Sequence, residues 1–178
     1  QYVARAGHIS RYTGAYRILK VILSYDYLWI QIRVKGGAYG CMSGFGLYGD
    51  SYLVSYRDPN LGQTNEIFEK TAEYVEQFDA DERDMTKYII GTVSDLDTPL
   101  TPAAAGARSM SAWLTHTSVE DLQKIRDEIL TASPADIRAL AAGVRELLAA
   151  GSLCAIGNEN RIEKEKELFD RTFRLFHS

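Results

Sequence analysis

Arg33-Val34-Lys35-Gly36-Gly37-Ala38-Tyr39-Gly40 divides the chain into two kinds of pattern. Before it, Tyr16, Leu19, Ile22, Leu23, Tyr27 and Trp29-Ile30 recur mostly every three or four residues, the mark of a helix with a broad apolar face. After it, Phe45 and Leu47 alternate with Gly44 and Gly46, and Tyr52, Val54 and Tyr56 alternate with Leu53 and Ser55. Gly49-Asp50 between them predicts a β-hairpin turn. Gly36 and Gly37 reach left-handed backbone space at little cost and stop the helix. An arginine at a helix end and a tyrosine near a strand start thus flank a double glycine. A planar guanidinium and a phenol are paired donors that suit peptide carbonyls or a carboxylate. Arg33 and Lys35 also complement the helix dipole, so the stretch alone leaves a structural use open.

Outward from this stretch, Gln1 to Ala6 alternates weakly and reads as a strand, followed by a polar connection from Gly7 to Gly14. The glycines of the first hairpin strand mark either a close approach by another backbone or a bulged edge. Arg57-Asp58-Pro59-Asn60 is a turn, because Pro59 biases Asp58 away from helix. Thr64 is placed to cap a helix whose Ile67, Thr71, Tyr74 and Phe78 share one face. Asp79 to Asp84 lacks the spacing and glycine of a calcium loop and reads as the solvated start of a helix carrying Met85, Tyr88, Ile89 and Val93. Asp95 to Pro102 is a connector, with Thr101 capping and Pro102 at the first helical position of a helix bearing Met110, Trp113 and Leu114. Ser118-Val119-Glu120-Asp121 and Ser133-Pro134-Ala135-Asp136 open two further helices. The second carries Ile137, Leu140, Val144 and Leu147 on one face and stops at Gly151. Leu153 to Gly157 is short and apolar, fitting a buried strand, and Glu159 to Phe176 reads as a charged helix. The order predicts an α+β fold: a mostly antiparallel sheet with helices packed on one face, the first and last strands joining the hairpin.

The chain has 178 residues, 46% hydrophobic and 25% charged, the composition of one globular domain spanning residues 1–178. A net charge of −4 gives no footprint for nucleic acid or an anionic membrane, and Arg17, Lys20 and Asp26 interrupt the longest apolar run. Cys41 and Cys154 have neither CxxC spacing nor the density of a disulfide framework, so a reducing, intracellular setting is preferred, a bacterial cytoplasm or an organelle matrix. His8, His116 and His177 form no H-E-x-x-H or H-x-x-E-H motif, so no zinc site of the chain's own is expected. Gly44-Phe45-Gly46-Leu47-Tyr48-Gly49 fits G-x-G-x-x-G as a string but lies in a strand pattern with a strand after it, not a helix. No nucleophile elbow or phosphate loop occurs. The inventory lacks a catalytic core.

Tyr25-Asp26-Tyr27-Leu28-Trp29, Ile32 to Gly40, Ser55-Tyr56-Arg57-Asp58-Pro59-Asn60-Leu61 and Ile90 to Leu100 occur in an order that resembles the C-terminal half of the presequence-protease branch of the insulinase/pitrilysin zinc metallopeptidases. The resemblance implies a large enzyme of four homologous α+β domains, forming two halves that close like a clamshell around unfolded peptides. This chain would be its last domain, truncated and inactive alone. Zinc and its H-x-x-E-H ligands would lie in the N-terminal half of the same parent chain, the partner that completes the site. By motif position, Arg33 would hydrogen-bond substrate carbonyls, and Tyr39 would orient the scissile peptide and support its oxyanion, with Gly36 and Gly37 in the substrate-binding turn. The glycine-rich strand beyond Tyr39 would let a peptide come close. The alternative within the same superfamily is an inactive peptide-binding or assembly subunit.

Overall fold

The computed structural model describes residues 1–175. Four strands form one antiparallel sheet in the order β2-β3-β1-β4: β1 (Tyr2–His8), β2 (Gly40–Phe45), β3 (Asp50–Tyr56) and β4 (Ser152–Ile156). Tyr2 pairs with Tyr56 on one side and with Ile156 on the other, so the first and last strands do join the hairpin. Because strand side chains alternate, Val3, Leu53 and Ser55 point to a buried face while Tyr2, Met42, Tyr52 and Ile156 lie exposed on the other. α1 (Ala15–Ile22), α2 (Gly62–Glu69) and α8 (Ala141–Ala149) lie against the first face, α3 (Thr71–Glu76), α4 (Glu82–Leu96), α6 (Val119–Leu130) and α7 (Pro134–Ala139) pack around them, and α5 (Pro102–Leu114) and α9 (Glu159–Lys164) lie toward the surface. The expected α+β class, with helices on one face, is what forms. Val3, Leu19, Ile22, Leu23, Leu53, Phe68, Ile129 and Val144 are fully buried within one core. α8 lies so close on β1 that a Cβ at Gly7 would sit 2.2 Å from the Leu147 carbonyl oxygen.

The long helix departs from a plain 3.6-residue pattern. α1 continues into two π-helical segments, Leu23–Tyr27 and Trp29–Lys35. Each wide turn advances the face by an extra residue, so Leu28 and Ile32 enter the core while Tyr25, Trp29 and Ile30 turn outward. Asp26 then accepts a hydrogen bond from Tyr88 of α4. Trp29 and Ile30 therefore do not belong to the core stripe expected for them, and Trp29 is released to the surface beside Arg33.

Several local expectations are corrected. Of the glycines alternating in the first hairpin strand, Gly46 does meet a backbone, since a Cβ there would lie 2.7 Å from the Asp50 carbonyl oxygen. Gly44 instead admits a side chain, a Cβ there lying 2.5 Å from the Tyr52 ring, as Gly40 does, 2.4 Å from the Tyr56 hydroxyl, on a strand at the edge of the sheet. Thr64 does not cap. Its hydroxyl is buried and donates to Asp58 at 2.8 Å, while the Glu165 carboxylate accepts from Gly62 N–H at 2.7 Å. The faces through Tyr74 and through Val144 each belong to two short helices, α2–α3 and α7–α8, that meet at Lys70 and Leu140. β4 is an edge strand, with Cys154 and Ile156 exposed and only Leu153 and Ala155 packed inward. The C-terminal helix is one short α-helix followed by a 3-10 turn, Lys166–Leu168, because the extended backbone at Phe169 (φ −125°, ψ 137°) ends it and Leu168 and Phe169 turn onto the core. His8 ends β1 instead of lying in the loop, and the end of the expected helix (Phe176) and His177 fall outside the described residues.

The capping signatures at Thr101, Ser118 and Ser133 perform as read, and Asp81 caps α4 as well. Asp81, Thr101, Ser118 and Ser133 each accept from the N–H three residues on, and the last two form reciprocal capping boxes with Asp121 and Asp136. α5 buries none of its residues, and Met110, Trp113 and Leu114 stand exposed on it.

Candidate functional site

The second π-helical segment ends in a wide hydrogen-bonded loop. Gly37 N–H donates to the Arg33 carbonyl at 3.0 Å, and Ala38 N–H reaches back to the Ile32 carbonyl at 3.1 Å. Only Gly37 enters left-handed space, with φ +78°. Gly36 stays right-handed (φ −81°), and glycine suits it because a Cβ there would lie 2.5 Å from the Ile32 carbonyl oxygen. The Gly36 carbonyl accepts from the Asn60 side chain at 2.7 Å, which fastens the loop to the turn after β3. Buried Ala38 anchors the chain as it crosses onto the sheet, and Gly40 pairs with Tyr56.

This geometry leaves Arg33 and Tyr39 exposed on either side of one anchored loop. The Arg33 guanidinium lies 4.0 Å from the centre of the Trp29 ring, one turn back on the same helix. The Tyr39 ring stacks obliquely 5.7 Å from Tyr56, and the Arg57 guanidinium lies 5.0 Å from its centre. Tyr39 N–H donates to the Arg57 carbonyl at 3.3 Å. Among the described residues, no hydrogen-bond partner engages the Tyr39 hydroxyl and no carboxylate pairs with Arg33 or Arg57. An aromatic rim carrying free cations and a free phenol can donate to carbonyl or carboxylate oxygens.

The turn that holds Arg57 is built around one buried carboxylate. Asp58 is 1% exposed and accepts from Asn60 N–H at 2.8 Å and from the Thr64 hydroxyl at 2.8 Å. Its own N–H donates to the Gln1 carbonyl at 3.0 Å. Arg161 also binds the Pro59 carbonyl. Next to this lock, Arg57 adopts φ +48°, a conformation that costs a residue with a side chain. Burial, helped by Asp58 and opposed by Arg33, pushes the Cys41 thiol up to about 11, so it is not a thiolate nucleophile near neutral pH.

The four residues singled out from the sequence thus gather on one loop. Trp29, Tyr56 and Arg57 were missed as members of the rim. The hairpin register held the signal, since Gly40 opposite Tyr56 puts Tyr39 next to Arg57. Two cavities lie elsewhere; the larger of them, about 540 Å³, is lined by Arg11, Tyr16, Glu128 and Glu146 among others. Among the described residues, no group of three or more His, Cys, Asp or Glu comes together to hold a metal ion. No described helix is long and apolar enough to cross a membrane.

A family model described as the PreP C-terminal domain matches residues 1–159. Protein HypA of Clostridium perfringens is 44% identical over 174 residues, covering 96% of this chain and 18% of that protein. Presequence protease 1, chloroplastic/mitochondrial, of Arabidopsis thaliana is 34% identical over 168 residues, covering 91% of this chain and 16% of that protein. The chain therefore spans less than a fifth of the length of these relatives. A candidate zinc protease from Bordetella pertussis shares the fold with a TM-score of 0.67 at 13% identity, covering 88% of this chain and 94% of that one. An inactive peptidase domain from Bordetella parapertussis does so with a TM-score of 0.69 at 14% identity, covering 89% and 91%.

Proposed function

The chain belongs to the family of presequence-protease C-terminal domains, and from that premise we propose that it is the non-catalytic, substrate-binding last domain of a zinc-dependent oligopeptidase. In this reading the parent chain degrades unfolded peptides in a chamber that closes around them. Its N-terminal half supplies the zinc, which would act on the scissile carbonyl there. This domain supplies two donors to the far side of the substrate. Arg33 donates to backbone carbonyls and holds the peptide in register. Tyr39 donates its hydroxyl to the oxygen that gains negative charge as the peptide bond is attacked.

The observation that carries the reading is that Arg33 and Tyr39 stand exposed on one anchored loop with no carboxylate or hydrogen-bond acceptor of the described chain engaging them. Exposed donors are hydrated until a ligand takes the place of the water, and these two share one loop that the Asn60 side chain fastens in place. Substitution of Arg33 in the parent enzyme tests it. Arg33→Ala is expected to raise KM and lower kcat/KM by roughly 10- to 10²-fold, the worth of hydrogen bonds to a charged donor. Arg33→Lys is expected to recover only part, because lysine lacks the planar fork. Unchanged peptide turnover in Arg33→Ala refutes the role, and absence of H-x-x-E-H from both the parent and any partner subunit makes the domain part of an inactive binding or assembly subunit.

A further inference from the structure

We propose that Arg57 is a positioning residue that holds the Tyr39 phenol in its working orientation. The inference rests on the reading of Tyr39 given above and adds a residue to it. Three observations converge on Arg57. Its guanidinium lies over the Tyr39 ring at 5.0 Å. Its carbonyl accepts the Tyr39 N–H at 3.3 Å, so the same residue grips that tyrosine by ring and by backbone. Its backbone stands at φ +48°, where glycine would be comfortable and arginine is strained.

The strain is imposed, not accidental. The next residue, Asp58, is buried and fixed through Asn60, Thr64 and the Gln1 carbonyl, so the backbone beside Arg57 is anchored. A side chain kept in left-handed space needs a reason that glycine cannot supply. No described carboxylate pairs with the Arg57 guanidinium; the Tyr39 ring is what it rests on. Tyr56 also packs obliquely against that ring, its centroid 5.7 Å away. The phenol is therefore held by contacts with an aromatic ring and a cation, with its hydroxyl left free. A fixed donor stabilises developing charge without first reorganising, which is what a mobile surface tyrosine would lack.

The test uses the full parent enzyme and compares Arg57→Gly, Arg57→Lys and Tyr39→Phe, alone and combined. Arg57→Gly relieves the backbone, so a merely structural residue would give equal or higher thermal stability and unchanged turnover. Positioning predicts instead that kcat falls roughly 10- to 10²-fold with KM little changed, despite that stability. Arg57→Lys keeps a cation and should recover part of the loss. In the Tyr39→Phe background, Arg57→Gly should cost no further activity, since no hydroxyl remains to be positioned. Additive losses would mean that Arg57 meets the substrate directly and would overturn the proposal. Tyr39→Phe alone reads the role of Tyr39 itself. Independently of turnover, 3-fluorotyrosine at position 39 should change its fluorine resonance on Arg57→Gly; an unmoved resonance shows that Arg57 does not hold the ring.

Discussion

Asp58→Ala is the perturbation whose cost the structure defines most closely. The carboxylate is 1% exposed and accepts two hydrogen bonds, from Asn60 N–H and from the Thr64 hydroxyl, both at 2.8 Å. Hydrogen bonds to a charged group contribute about 1.5–3 kcal/mol each, so losing both removes about 3–6 kcal/mol gross. Relief from burying a carboxylate offsets part of that, and the hydroxyl of Thr64, itself 1% exposed, can turn toward another acceptor. The net expectation is about 3 kcal/mol of destabilisation. For a chain of this length each kcal/mol lowers the melting temperature by about 2–4 °C, so a drop of roughly 6–12 °C is expected by calorimetry. Asp58→Asn keeps the shape and one acceptor oxygen and should lose about half as much. Thr64→Val removes one of the same two bonds, so it should be much less costly on top of Asp58→Ala than alone. An Asp58→Ala chain melting within about 2 °C of wild type, a shift worth at most about 1 kcal/mol, would refute the view that this carboxylate locks the turn.

Gly40→Ala places a methyl where the Tyr56 ring now lies, so the ring must move and a cost of about 1–3 kcal/mol is expected in urea unfolding. Tyr56→Ala in the same chain should cancel much of that cost, and strict additivity of the two changes would contradict the packing of Tyr56 over Gly40. Burial, the largest cause, pushes Tyr27 and Tyr74 up to about 12 from an ordinary 10. The folded chain therefore keeps these protons to higher pH than the unfolded chain does. Their contribution is complete below about pH 10 and is lost as pH rises toward 12, so the urea midpoint should fall over that window and fall less in Tyr27→Phe. A midpoint at pH 11 equal to that at pH 8 would overturn this.

What the sequence made legible follows from how local each signal is. The capping serines are set by neighbours within a few residues and stand where their chemistry puts them; the hairpin also forms, but its turn runs from Gly46 to Gly49, which leaves Leu47 outside β2 and places Asp50 inside β3. The α+β class follows from strand patterns at both ends of a run of helices. The π-helical widening between Leu23 and Lys35 was not legible, because an apolar residue misplaced by one position reads the same in either helix. Tertiary packing decides it, through Asp26 meeting Tyr88 and Leu28 and Ile32 entering the core. The β2 glycines point to crowding without naming what crowds them; the cross-strand partners Tyr52 and Tyr56 do, once the register is known. Arg33 and Tyr39 were legible as a pair because one short loop carries both. Arg57 was not, because it comes to Tyr39 from the end of the neighbouring strand, as the first residue of a turn that from sequence needs no further purpose.

The central claim is that Tyr39 serves chemistry performed on another domain of the parent chain. Tyr39→Phe in the parent enzyme tests it most directly, because it removes one hydroxyl, keeps the ring against Tyr56 and Arg57, and changes nothing outside this domain. The measurement is kcat for hydrolysis of an unfolded peptide, with zinc content and thermal stability recorded on the same preparation. A fall in kcat on the order of 10²–10³, at unchanged zinc content and melting temperature, is the predicted result. Wild-type kcat in Tyr39→Phe would contradict the account.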